Sequence, residues 1–149
     1  MIGQLKKIFG VEPAVEGLLE GREPVELATA ALLMELARAD FSESTVELQV
    51  IRGLLHKRYG LSGEALDELI ADASRRADRA VSLHEFTHRL NRELSEGDKL
   101  AIIEMLWRVS QADGHVDKHE DHLIRRVASL LHVSDRDRVR LKLKVVAGD

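Results

Sequence analysis

The chain has 149 residues and a formal net charge of −4, from 22 Lys and Arg against 26 Asp and Glu. This length predicts a single domain with its own buried core. The negative charge argues against a nucleic-acid partner bound through a basic surface, and the lack of cysteine excludes disulfides, thiolate ligands and a cysteine nucleophile. We find no apolar run long enough for a transmembrane segment and no signal peptide at the start, and therefore expect a cytoplasmic protein.

The composition predicts an all-α fold. Leu, Ala, Glu and Arg are abundant and favour helices, whereas Thr and aromatic residues are few. Apolar residues at helical spacing, together with residues that begin and end helices, indicate seven helices, and residues 2–9 add a short eighth. In chain order, the seven predicted helices begin near Pro24, Ser44, Ser62, Ser82, Ser95, Asp117 and Ser134.

The two halves of the chain align with each other at a shift of 73 residues, which places residues 39–47 over residues 112–120 and Met34 over Trp107. Each half predicts three helices, with hairpin turns near residues 41–43 and 114–116. We therefore expect two three-helix repeats in a pseudo-two-fold bundle, with Met34 and Trp107 in its core. The single domain then divides into an N-terminal extension (1–22), a first repeat (23–80), a linking helix (82–94) and a second repeat (95–147).

Both aligned hairpins contain an Ala-Asp-turn-Glu motif, at residues 39–47 and 112–120. The second motif follows the segment IEMLW at 103–107, and the phrase EFT-x-x-LN stands at 85–91. In these segments the chain resembles the tellurite-resistance TerB-like family of bacterial proteins, over about residues 27–133. The resemblance implies a role in tellurite resistance or a stress response, through partners that it does not identify.

The same resemblance implies an all-helical duplicated fold, no known enzymatic activity, and a divalent-metal site on acidic residues of the two turns. Matched residue by residue, the implied ligands are Asp40, Glu47, Asp113 and Glu120. The first turn departs from the family pattern, because Phe41 stands in place of Gly and Glu43 in place of an aliphatic residue.

The turn carboxylates allow two interpretations. Each predicted hairpin holds an Asp and a Glu across its turn, and two such carboxylates repel unless a proton or a cation lies between them. Ca²⁺ or Mg²⁺ suits such oxygen ligands, and two turns that meet offer four of them. Alternatively, Glu47 and Glu120 complete capping boxes that begin at Ser44 and Asp117. A conventional EF-hand is not expected, because its first ligand position falls on Val109, which cannot bind a metal ion.

Histidines form two further patterns. His84-Glu85-Phe86-Thr87-His88 is a formal HExxH motif, in which two His bind Zn²⁺ and the Glu activates water. A zinc hydrolase also needs a third ligand and a substrate cleft, and no strand is predicted to line one. Separately, the spacing of His115, His119 and His122 allows them to share a helix face and to recruit Zn²⁺ or Ni²⁺.

The sequence predicts a binding protein and not an enzyme, since it contains no nucleophile–base motif, phosphate-binding glycine loop or nucleotide fingerprint. The expected cofactor is a divalent cation: Ca²⁺, Mg²⁺ or Zn²⁺. Two alternatives remain open at this point. One is a zinc-dependent hydrolase that uses residues 84–88, and the other is a membrane-associated stress adaptor that uses the amphipathic residues 1–10.

Overall fold

The structure is a computed structural model that describes residues 24–39, 45–78 and 83–148. These residues form seven α-helices and no β-strand, which confirms the all-α prediction. The helices are α1 (Pro24–Ala37), α2 (Thr45–Tyr59), α3 (Gly63–Asp78), α4 (Leu83–Glu93), α5 (Glu96–Ser110), α6 (Lys118–Leu130) and α7 (Asp135–Val146). The short helix expected at residues 2–9 lies outside the described residues.

Side-chain caps begin the helices of the second half where the sequence predicts them. The Ser95 hydroxyl accepts a hydrogen bond from the backbone N–H of Asp98, and the Ser134 hydroxyl accepts one from that of Asp137. Each bond satisfies a backbone donor that has no partner within its own helix. At the end of α2, Gly60 has a φ of 73°, a left-handed conformation that favours glycine and stops the helix.

Helix α1 lies at the centre of the bundle, in contact with α2, α3, α4, α5 and α6. Its residues from Leu27 to Met34 are at most 6 % exposed, as its nearly unbroken apolar sequence requires. Helix α7 packs against α5 and α6. The bundle therefore has one continuous core to which both halves of the chain contribute.

Trp107 is 1 % exposed and Met34 is 3 % exposed, so the prediction that both belong to the core is confirmed. The indole Nε1 of Trp107 donates a hydrogen bond to the backbone oxygen of Arg138, 3.1 Å away. The ammonium of Lys142 lies 5.2 Å from the centre of the indole ring and 3.2 Å from a carboxylate oxygen of Asp121. Trp107 thus joins α5 to α7 by packing, a hydrogen bond and a cation–π contact.

Tyr59, the last residue of α2, joins that helix to α1. Its hydroxyl donates a hydrogen bond to Thr29 Oγ1, 3.0 Å away, and Thr29 is fully buried. Burial raises the pKa of Tyr59 above its ordinary value of 10.0, and this effect outweighs the hydrogen bond to Thr29, which lowers the pKa. The phenol is therefore held in its neutral form.

The helix bounds agree with the sequence alignment of the two halves. Helix α2 begins at Thr45 and α6 at Lys118, which are 73 residues apart. The third helices, α3 and α7, begin 72 residues apart, because the second half is one residue shorter before that point. Ile51 and Ile124, aligned by the shift of 73, are both fully buried. The pseudo-two-fold relation between the halves, and the division into repeats, stay predictions.

Candidate functional site

The second hairpin runs from the end of α5 to the start of α6, with its turn in residues 111–117. Gly114 has a φ of 99°, which explains why glycine stands at this point, and its N–H donates to the backbone oxygen of Gln111. The turn predicted near residues 114–116 is therefore confirmed.

Glu120 lies at the base of this turn and is only 1 % exposed. Its Oε1 accepts hydrogen bonds from the Ser110 hydroxyl at 3.2 Å and from the Asp117 backbone N–H at 3.3 Å. The Asp117 carboxylate in turn accepts from the backbone N–H of His119 at 2.8 Å. Together these bonds form a capping box at the start of α6, so the capping interpretation of Glu120 is confirmed.

Ser110 is a site residue that the sequence does not reveal. It is the last residue of α5 and is fully buried, with its hydroxyl directed at the Glu120 carboxylate. A serine among the apolar residues of a helix carries no signal that a sequence pattern would single out. Its hydroxyl finds a hydrogen-bond acceptor only because α5 packs beside α6 in the folded chain. At the aligned position of the first half stands Ala37, which is also fully buried and has no hydroxyl.

Asp113 lies in a different environment from Glu120. Its side chain is 42 % exposed at the outer part of the turn, and one carboxylate oxygen lies 3.9 Å from Nδ1 of His115. At that exposure the contact with His115 contributes little to stability. Of the two predicted ligands in the second hairpin, Asp113 is therefore exposed to solvent and Glu120 is buried inside the bundle.

The first hairpin also buries its glutamate. Glu47 is the third residue of α2 and is 1 % exposed, the same value as Glu120. Asp40, Ser44 and the turn predicted near residues 41–43 lie outside the described residues. Within the ranges that the structure describes, no group of three or more His, Asp or Glu side chains is arranged to hold a metal ion. The four-carboxylate site thus stays a prediction.

The HExxH segment lies on α4, as expected. His84, Glu85 and His88 are exposed, and the two imidazole rings are stacked with their centres 5.9 Å apart. Among the residues with described positions, no third His, Asp or Glu joins the two histidines in a metal-binding group, and no strand is present to line a substrate cleft.

The histidines of the second hairpin do not all share a helix face. His115 lies in the turn, three residues before α6 begins at Lys118, so the expectation that it shares a helix face with His119 and His122 is wrong. The reason is that Asp117, and not an earlier residue, caps the helix. These histidines and the neighbouring carboxylates, all within the described part of the chain, form no group that could hold a metal ion.

Comparison with known proteins decides the family. The model of the family described as Tellurite resistance protein TerB matches residues 26–143. The chain belongs to the TerB family. The match begins in α1, ends in α7 and contains both hairpins, so the resemblance noted in the sequence is confirmed. Searches of curated proteins and of solved structures gave no match to this TerB-family chain.

The longest described helix of this TerB-family protein, α3, has 16 residues, whereas a helix that crosses a membrane needs about 20. Within residues 24–39, 45–78 and 83–148, no helix combines the length and the apolar character needed to cross a membrane. The amphipathic residues 1–10, on which the membrane-adaptor alternative depends, lie outside the described residues.

Proposed function

We propose that this TerB-family protein is a non-enzymatic, cytoplasmic protein that binds a divalent cation with the carboxylates of its two hairpins and acts in tellurite resistance or a related stress response. The observation that carries the proposal is the burial of one glutamate at the same position of each hairpin, Glu47 and Glu120, both 1 % exposed. The proposed ligands are Asp40, Glu47, Asp113 and Glu120.

The chemistry of the donors fits a hard cation. A carboxylate removed from water needs its charge balanced, and a cation bound by oxygen ligands is one way to balance it. Glu120 is held in one orientation by its bonds to Ser110 and Asp117, which favours a preformed site. The carboxylate of Asp113 is exposed, so an ion in solution can reach it. A bound Ca²⁺ or Mg²⁺ would neutralise the carboxylates and tie the turns together.

The experiment is a thermal-shift titration of the full chain with Ca²⁺, Mg²⁺, Mn²⁺ and Zn²⁺. An ion that binds only the folded state raises the free energy of unfolding by about 2.7 kcal/mol at a hundredfold excess over its dissociation constant. Asp113→Asn and Glu120→Gln should remove this gain. Asp121→Asn is the matched control, because it removes one charge beside Glu120 from a residue that pairs with Lys142.

The outcomes separate a shared site from a single-turn site. Loss of the cation response with both Glu47→Gln and Glu120→Gln supports four carboxylates that meet, whereas loss with Glu120→Gln alone assigns the ion to the second hairpin. If none of the four ions stabilises the parent chain, the metal-binding half of the proposal is wrong. Zinc-dependent peptidase activity that disappears with Glu85→Gln would overturn the non-enzymatic half.

A further inference from the structure

Helix α4 presents two imidazoles on one exposed face. Its opposite side is buried, and the Thr87 hydroxyl donates to the backbone oxygen of Leu83, 3.0 Å away. His84 and His88 are both exposed and are four residues apart, the spacing that puts side chains one above the other on a helix. The backbone of α4 therefore fixes the positions of the two β-carbons that carry the imidazole rings.

The separation of the rings suits a shared ion. The ring centres lie 5.9 Å apart with an angle of 25° between the planes. In a tetrahedral zinc site, with Zn–N bonds of about 2.1 Å, two ligand nitrogens lie about 3.4 Å apart. Because both side chains are exposed, rotation about their side-chain torsions can turn one nitrogen of each ring towards a shared ion.

We propose that His84 and His88 form an open, two-imidazole site for a borderline divalent cation, such as Zn²⁺. Imidazole nitrogen prefers Zn²⁺, Cu²⁺ and Ni²⁺, whereas the carboxylate oxygens of the hairpin turns prefer Ca²⁺ and Mg²⁺. The site on α4 is therefore separate from the hairpins in both position and ion preference, and it does not depend on the function proposed above.

Two protein ligands leave the other coordination positions of the ion to water. A hydrolytic zinc site of the HExxH type uses a third protein ligand, and the described part of the chain brings no third His, Asp or Glu to this pair. The proposed role is therefore binding of the ion and not hydrolysis.

The experiment is calorimetric titration of the full chain with Zn²⁺ alone. The background carries His115→Ala, His119→Ala and His122→Ala, so that the other histidine-rich segment cannot contribute. We compare this background with three further variants: His84→Ala, His88→Ala, and the relocated pair His88→Ala with Arg89→His. The relocated pair keeps the number of imidazoles but spaces them five residues apart, which places them on different faces of α4.

We expect one Zn²⁺ per chain in the background, and at least tenfold weaker binding in each of the three variants. His56→Ala, whose imidazole Nδ1 lies 2.8 Å from the backbone oxygen of Leu61, should leave Zn²⁺ binding unchanged. Circular dichroism checks that the variants, all at surface positions, stay folded. Unchanged Zn²⁺ affinity in the relocated pair, or no Zn²⁺ binding in the background, would overturn the proposal, whatever the response of the hairpins to Ca²⁺.

Discussion

Each of the two hairpins buries a glutamate at the same helical position, but the surroundings of the two glutamates differ. In the second hairpin, Ser110 donates a hydrogen bond to Glu120, whereas the first hairpin has Ala37 at the position aligned with Ser110. Glu47 and Glu120 are nevertheless equally buried. A hydrogen bond from a serine at this position is therefore not required for burial of the glutamate. The helical position, three residues into the second helix of the hairpin, is common to both.

The ends of the second helices differ in a similar way. The left-handed residue that follows α2 is Gly60, whereas the one that follows α6 is His132, with a φ of 64°. The N–H of His132 donates to the oxygen of Ser129, and the N–H of Val133 donates to that of Ala128, the pattern of a Schellman motif. The second half thus uses a residue with a β-carbon in a conformation that favours glycine.

The largest expected effect concerns the aligned core residues. Trp107→Ala should lower the free energy of unfolding by about 4 kcal/mol, and Met34→Ala by about 3 kcal/mol, because each leaves a cavity in the core. The loss of stability should be larger for Trp107→Ala, since this change also removes the hydrogen bond to Arg138 and the contact with Lys142. Denaturation in urea measures both values. A larger loss with Met34→Ala would show that the first half carries more of the stability of the core.

The second prediction concerns the buried glutamates. Glu120→Ala should cost about 2 kcal/mol, because α6 loses its cap partner and the Ser110 hydroxyl loses an acceptor. In the Ser110→Ala background, the same change should cost about 1 kcal/mol, since only the cap is then lost. Urea denaturation of the four chains in this cycle gives the coupling. If the two costs are equal, the bond between Ser110 and Glu120 contributes nothing to stability.

The third prediction is a pH dependence specific to the first half. The pKa of Tyr59 is raised in the folded chain, so its contribution to stability is complete below pH 10.0 and is lost as the pH rises above that value, where the unfolded chain ionises first. Tyr59 is the one tyrosine of the chain, so absorbance at the phenolate band follows it alone. Tyr59→Phe should cost about 1 kcal/mol at neutral pH and should flatten the loss at alkaline pH. Ionisation of Tyr59 below its ordinary pKa would contradict the prediction.

The smallest expected effects concern the helix ends. His132→Gly should raise the free energy of unfolding by up to about 1 kcal/mol, because glycine adopts the left-handed conformation without strain. Gly60→Ala should lower it by about 1 kcal/mol for the converse reason; a β-carbon there meets no atom within 4 Å, so the cost comes from the backbone alone. Thermal unfolding of both variants measures the difference. If His132→Gly lowers the stability, the imidazole makes a contact that stabilises the chain by more than the backbone strain at this residue destabilises it.

The sequence predicted the helices because the signals for them are local. Ser95, Asp117 and Ser134 cap the helices that they were expected to begin, since a cap needs only the next turn of backbone. It also predicted the bond between Glu120 and the backbone of Asp117 as one of two interpretations. The burial of that glutamate could not be predicted, because an exposed capping box has the same spacing.

The prediction that His115 shares a helix face with His119 and His122 was wrong because it rested on spacing alone. The spacing of four residues between His115 and His119 predicts a shared face only if both residues lie in one helix, but Asp117 caps α6 and leaves His115 in the turn before it. The partnership of Ser110 with Glu120 depends on how α5 crosses α6, which no local pattern describes. A local sequence pattern can predict where a helix begins, but it cannot predict tertiary contacts of this kind between two helices.

The chain carries one tryptophan and one tyrosine, and they stand in different halves. Trp107 lies between α5 and α7, and Tyr59 links α2 to α1. Indole fluorescence therefore reports on the second hairpin, and phenol absorbance reports on the first, without any added label. If the two optical signals change at the same urea concentration, the halves unfold as a single cooperative unit. If they separate, the order in which they change tells which hairpin unfolds first.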